Sequence, residues 1–321
     1  MLAWVLHRIN LQEVWDDARH ANVVLLLATV TLATATFPLR LIRWRLILRD
    51  IDGHEFPWLP LWHAVAIGFM ANNLLPARAG EVARAYVATR QLPVRFTTSL
   101  ASIGVERVFD GLTMLTLMAL AIAAPSFPRH TLVGGRSLSA VATAAAILFG
   151  AMLVLALLVV HRPAPWLALL GRITRRLLPA TAASRVLHWA EGIIAGLEVL
   201  KRPARFGGVV FWSLVLWLTN AAAFAVCFRA FGIHVPAEAA LLLQGIIGFG
   251  VAVPSTPSGV GVFETATLLT LGVYGIDPSL AASYALTYHL TTFLPITVLG
   301  LWSLSRLHLG LRDLSAAPQN T

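Results

Sequence analysis

Asn72-Asn73-Leu74-Leu75-Pro76-Ala77-Arg78-Ala79-Gly80-Glu81-Val82-Ala83-Arg84 closes an apolar run that starts near residue 56. A plain membrane-crossing helix does not end this way. Pro76 removes a backbone donor and Gly80 loosens the backbone four residues on, so the helix breaks while the chain is still at membrane depth. A second stretch follows the same plan: Pro254-Ser255-Thr256-Pro257-Ser258-Gly259-Val260-Gly261-Val262-Phe263-Glu264 interrupts the apolar run 239–263. In both, a Pro stands four residues before a Gly, and a Glu follows one residue (Glu81) or three residues (Glu264) later.

The composition around these breaks is that of a membrane protein. The 321 residues are 58% hydrophobic and 12% charged, against roughly 25% charged in ordinary soluble domains. There are 24 basic and 15 acidic residues, a formal net charge of +9, and the single lysine is Lys201. In so apolar a chain that excess points to anionic lipid headgroups rather than nucleic acid. The lone Cys227 sits in an apolar run, which excludes a disulfide framework and a cysteine metal site.

About 20 apolar residues cross a bilayer as a helix. Stretches of that order occupy 21–39, 56–77, 111–128, 137–160, 206–228, 239–263 and 278–305, and the third extends back to about residue 97. Basic residues mark the cytoplasmic side. Clusters at 40–49, at 161–205 and at Arg306 and Arg312 fit a simple in-and-out count; the cluster Arg78, Arg84, Arg90, Arg95 does not. The conflict disappears if 56–90 is a re-entrant hairpin that enters from the cytoplasm and returns, its irregular turn buried in protein or lining a cavity. By the same logic 238–275 dips in from the opposite face.

The expected fold is therefore an all-α polytopic membrane protein of two inverted repeats, each with a re-entrant helical hairpin: about six full spans plus two re-entrant pairs. A single membrane domain covers 1–308, with a first repeat at 1–124, a second at 137–308, a cytoplasmic amphipathic connection at 161–205 and a short cytoplasmic tail at 309–321. Residues 1–20 read as the end of a truncated first span or as an interfacial helix, and lack the layout of a signal peptide. In the connection, Trp166, Leu169, Leu170, Ile173 and Leu177 share one helical face and Arg172, Arg175 and Arg176 the other, as on an anionic lipid surface.

A broken helix exposes N–H groups that favour anions. Arg78 and Arg84 are candidates to grip a lipid phosphate, with Asn73, Glu81 and Glu264 completing a headgroup site. The plainer alternative is that Pro76, Gly80, Pro254, Pro257, Gly259 and Gly261 only kink packed helices. Glu106 and Asp110, four apart on one helical face beside Arg107, are charges at membrane depth; they either pair with the hairpin arginines or couple protons or ions. His289, next to Tyr288 and near Tyr284, is a packing residue or a proton carrier. Catalytic signatures are missing: there is no His-Glu-x-x-His, Walker loop or nucleophile elbow. The reading is of a non-enzyme with neither metal nor cofactor.

Four blocks resemble the lysylphosphatidylglycerol synthase transmembrane, or flippase-like domain, family. They are Leu41-Ile42-Arg43-Trp44-Arg45; Asn73-Leu74-Leu75-Pro76 through Gly80-Glu81-Val82-Ala83-Arg84; Glu106-Arg107-Val108-Phe109-Asp110; and Pro257-Ser258-Gly259-Val260-Gly261-Val262-Phe263-Glu264. The family includes the membrane half of the bacterial multiple peptide resistance factor. The resemblance implies transbilayer movement of a phospholipid or polyprenyl-linked lipid in a bacterial or archaeal cytoplasmic membrane, without the aminoacyl transfer that a separate soluble domain performs in that factor. The alternatives are an intramembrane lipid-phosphate transferase using Glu106 or Asp110 as base, or a scaffold for an envelope enzyme. A homo-oligomer or an envelope-enzyme partner is the further expectation.

Overall fold

The computed structural model describes residues 11–49, 53–75, 79–128, 132–133, 136–137, 162–196, 202–252 and 256–311, with isolated positions between 147 and 158. Pro76, Arg78 and Pro254, most of the span expected at 137–160 and residues 1–10 of the segment read as a truncated first span or an interfacial helix lie outside the described residues.

The described chain is helical apart from a hairpin of two short strands, β1 (Leu132–Val133) and β2 (Arg136–Ser137). Helix α1 (Leu11–His20) leads into α2 (Val23–Ile47), whose start is capped by Asn22 Oδ1 accepting the Leu25 N–H at 3.1 Å. Then come α3 (Trp58–Leu74), α4 (Ala79–Gln91) and α5 (Phe96–Ala123). Helices α6 (Pro163–Leu177) and α7 (Ala180–Gly196) form the connection to α8 (Pro203–Ala230). Helix α9 (Glu238–Ala252), a 3-10 turn at Pro257–Gly259, α10 (Val262–Val273) and α11 (Pro278–Arg306) complete the order. Asp277 caps α11 by accepting the Ser279 and Leu280 N–H groups.

Among the described residues three helices, α2, α8 and α11, are long and apolar enough to cross a membrane. Helix α5 has 28 residues but carries Glu106, Arg107 and Asp110 in its middle. The outer faces of the long helices are apolar: Leu290, Leu294, Val298 and Leu301 form one exposed row on α11, and Phe211, Leu214 and Leu218 another on α8. Rows like these are unfavourable in water and neutral against lipid tails.

Both interrupted runs are helix pairs. Helices α3 and α4 pack backbone to backbone because Gly68 and Gly80 face each other. A Cβ on Gly68 would come within 2.7 Å of Arg84 Cβ, and one on Gly80 would collide with the Gly68 carbonyl oxygen. Gly300 lets α11 approach α3 in the same way at Met70, and Gly245 and Gly248 let α9 approach α5 at Met118 and Met114.

One boundary differs from the sequence reading. Arg40 and Arg43, counted there among loop residues after the first span, lie within α2, buried at 8% and 0% exposure. The helix continues two turns past its last uncharged stretch because acids on α5 await those arginines. The 161–205 connection holds two packed helices: Gly171 and Thr174 of α6 are buried, with Leu187 of α7 against Gly171. Leu169, Ile173 and Leu177 stay exposed in a row, as do Arg172, Arg175 and Arg176.

Between α2 and α3, Arg45 and Arg49 each reach Glu55 at 2.6 Å. The hydrogen bond from Arg49, with both guanidinium charges beside it, holds the Glu55 carboxyl below the usual carboxylate range.

Candidate functional site

The centre of the molecule holds two polar clusters and a cavity. The first cluster arises from helical spacing. Arg40, Arg43 and Trp44 share a face of α2, and Ser102, Glu106 and Asp110 share a face of α5. Arg43 Nη1 donates to Asp110 Oδ1 at 2.6 Å and to Ser213 Oγ of α8 at 3.1 Å, while its Nη2 reaches Glu106 Oε1 at 3.5 Å. Arg84 Nη1 of α4 donates to Glu106 Oε2 at 2.5 Å, and its guanidinium stacks 3.8 Å over the Trp44 ring. Trp44 Nε1 donates to Ser102 Oγ at 2.9 Å, and Trp217 Nε1 to Asp110 Oδ1 at 2.9 Å. At the edge, Arg107 lies 3.2 Å from Asp110 Oδ2 and 3.5 Å from Glu81 Oε1.

The acids Glu106 and Asp110 are thus the hubs that tie α2, α4, α5 and α8 together. Of the two hairpin arginines offered as their partners, Arg84 pairs with Glu106 alone, Asp110 is met instead by Arg43, Arg107 and Arg40, and Arg78 lies outside the described residues.

The second cluster belongs to the α9–α10 break. Ser258, Gly259 and Gly261 all have positive φ (57°, 72° and 86°), which turns the chain sharply enough to start α10 at Val262. Glu264 Oε2 accepts the Gly261 N–H at 2.6 Å, and its Oε1 lies 2.7 Å from His289 Nδ1 of α11. His289 Nε2 lies 2.8 Å from Ser258 Oγ. Glu264, His289 and Ser258 therefore form one hydrogen-bonded chain. Ser258 was not among the sequence candidates, and only its position inside the Pro257–Gly261 break hinted at it. The neighbouring N–H groups of Gly259 and Val260 bond to the carbonyls of Thr256 and Pro257.

A cavity of about 260 Å³ joins the two clusters. Arg40, Asn73 and Trp217 line it on the side of the first cluster; Ser258, Phe263 and His289 line it on the side of the second. Asn73 is fixed by donating to Thr297 Oγ1 at 2.9 Å. Two helix-interior prolines, Pro38 of α2 and Pro295 of α11, stand beside the lining residues Phe37 and Ile296. Each costs its helix one backbone bond and favours a bend there. Tyr284, one turn before Tyr288 on α11, belongs to the core, fully buried against Phe228 and Phe231.

At each helix start expected to attract anions, one N–H group already has a side-chain acceptor. Asn72 Oδ1 takes the Gly80 N–H at 3.0 Å, and Glu264 takes that of Gly261. The first cluster, in contrast, carries cations with unmatched donors, Arg84 Nε and Nη2 and Arg43 Nε as well as those of Arg40, and of these three arginines Arg40 is the one that lines the cavity. Arg40 packs on the Phe69 and Trp217 rings, with its Nη1 3.8 Å from Asp110 Oδ2. Its buried Nε and Nη1 have no hydrogen-bond partner among the described residues. Sequence reading missed Arg40 and Arg43 as site residues because a window that stops at charge ends the span before them.

The family described as the lysylphosphatidylglycerol synthase TM region matches residues 1–300. The chain belongs to this family. Membership agrees with the apolar helices and makes this a membrane protein. Among curated proteins, the chain is 29% identical over 318 residues to the glycosyltransferase AglD of Haloferax volcanii, covering 90% of this chain and 50% of that protein. It is 27% identical over 247 residues to a UPF0104 membrane protein of Methanothermobacter thermautotrophicus, covering 73% of this chain and 70% of that one. The chain thus spans about half the length of AglD. No solved structure matches it.

Proposed function

We propose that this protein moves a polar lipid, a phospholipid or a polyprenyl-linked lipid, between the leaflets of a cytoplasmic membrane. In this reading α3–α4 and α9–α10 are re-entrant hairpins of two inverted repeats within one membrane domain, the chain ends on the cytoplasmic side, and no chemistry is performed on the lipid. One observation carries the reading: residues of both broken pairs, Asn73 on one side and Ser258 and Phe263 on the other, line the same cavity. A headgroup there would meet polar atoms inside and apolar helix faces outside, the arrangement a lipid crossing the bilayer needs.

The test is reconstitution into liposomes with fluorescent phospholipids, followed by dithionite quenching. Wild type should quench beyond the outer-leaflet fraction, and both Glu264→Ala and the cavity-filling Thr292→Trp should lose that excess. Quenching confined to the outer leaflet for every lipid would reject spontaneous scrambling.

A second reading, lipid-linked group transfer, is favoured by the Ser258–His289–Glu264 chain, which has the order of a nucleophile, a base and its orienting acid. His289 would then be the base, because Glu106 and Asp110 are held by arginines. Ser258→Ala separates the two readings: it should abolish transfer, yet leave lipid movement in place.

A further inference from the structure

The buried part of the first cluster does not balance its charge. Arg40, Arg43 and Arg84 are buried at 8%, 0% and 3% exposure, and face two buried carboxylates, Glu106 at 0% and Asp110 at 2%. Arg107 and Glu81 pair with each other at the half-exposed edge. Arginine does not shed its proton in proteins, so one positive charge is left over among these buried groups. The distances show where it resides. Arg43 and Arg84 hold the carboxylates at 2.5–2.6 Å, Arg107 approaches the remaining Asp110 oxygen at 3.2 Å, and Arg40 stands off at 3.8 Å. The Phe69 and Trp217 rings soften its charge but accept none of its N–H groups in plane. A buried cation with idle donors is costly unless something fills the place of its acceptor. Arg40 lines the cavity, where a ligand can do so.

We infer that Arg40 is the anion-holding residue of the cavity and that it takes a phosphate group, either in a lipid headgroup or as free phosphate. A phosphate ester is the anion that membrane lipids carry, and its oxygens match a guanidinium in charge and hydrogen bonding. At each break one N–H, that of Gly80 or of Gly261, is already taken by a side-chain oxygen, whereas the Arg40 donors at the cavity are idle. The inference deepens the translocation reading and rests on it for the route by which a lipid reaches the cavity.

The test uses the full chain purified in a neutral maltoside detergent. Thermal midpoints are followed with added phosphatidylglycerol, diacylglycerol or sodium phosphate, for wild type, Arg40→Gln and Arg40→Lys. Phosphatidylglycerol should raise the wild-type midpoint and diacylglycerol should not. Arg40→Gln should bind phosphatidylglycerol about ten-fold more weakly or worse, with Arg40→Lys between the two. If sodium phosphate alone reproduces the whole rise, the occupant is free phosphate; if only the lipid does, it is the headgroup. The ligand-free midpoint guards against misfolding. Removing a surplus charge should leave it unchanged or raise it, whereas a fall would mean that Arg40 is a structural counter-charge to Asp110 and would overturn the inference. Equal phosphatidylglycerol binding by wild type and Arg40→Gln would overturn it as well. Dithionite quenching on the same proteins reports separately on translocation: Arg40-dependent binding without lipid movement rejects only the transport reading, and lipid movement with Arg40-independent binding rejects only the anion site.

Discussion

The two broken helix pairs share a sequence plan and solve it differently. In α3–α4 the break is closed by contact: Gly68 and Gly80 bring the backbones together, Asn72 caps the Gly80 N–H, and Arg84 locks onto Glu106 and Trp44. In α9–α10 the break is held open by backbone conformation, with three positive-φ residues and one hydrogen-bonded chain through His289 tying the turn to α11. The first pair is a fixed wall. The second is the less firmly held, because a few hydrogen bonds in a turn yield more easily than close-packed backbones joined by buried ion pairs.

The strongest way to break the comparison is Arg43→Ala. It strands Glu106 and Asp110, each then short of a buried partner, and should destabilise the protein by about 3–5 kcal/mol, the usual cost of removing one member of a buried pair. Thermal unfolding in detergent would read it. A loss below about 1 kcal/mol, the scale of a surface pair, would mean that the acids are already balanced by Arg84 and Arg107 and that the first pair is less rigid than the geometry implies.

Next in size is Gly80→Ala. A Cβ there meets Asn72 Cγ at 2.6 Å as well as the Gly68 backbone, so α4 must shift. A cost of about 1–3 kcal/mol is expected from overpacking, where an Ala in an ordinary helix interior would instead stabilise by up to about 1 kcal/mol. An unchanged midpoint would show that α3 and α4 are free to separate.

These contacts also mark how far the sequence could be read. The helical class, the two breaks and the presence of Glu106 and Asp110 on one face at membrane depth follow from local pattern: apolar run length, Pro–Gly spacing and the i, i+4 rule. Of the two acids only Glu106 meets the expected arginine, Arg84. Arg40 and Arg43 were hidden because their partners lie about 65 positions away on α5, and a charge inside a span looks like a loop until its counter-charge is located. The link between Glu264 and His289 was hidden for the same reason. Each residue stood out alone, the first in a break and the second in a span, and only tertiary packing joins α10 to α11. Gly68 and Gly300 gave no local signal, since a glycine in an apolar helix announces close approach without naming the neighbour.

The smallest effect sharpens the comparison from the side of the second pair. Ser258 adopts φ 57°, ψ 1°, a conformation that costs a non-glycine residue about 1 kcal/mol or more. Ser258→Ala keeps that strain and loses the hydrogen bond to His289, so it should destabilise by about 1 kcal/mol. Ser258→Gly loses the same bond but relieves the strain, and should come out near neutral. Glycine is thus expected to exceed alanine by about 1 kcal/mol here, reversing the order seen at positions of negative φ. Paired thermal midpoints measure the difference directly, with the hydrogen bond cancelled because neither variant has it. If alanine proves the more stable, the turn has relaxed to negative φ, and the second pair is held by the His289 hydrogen bonds rather than by its backbone.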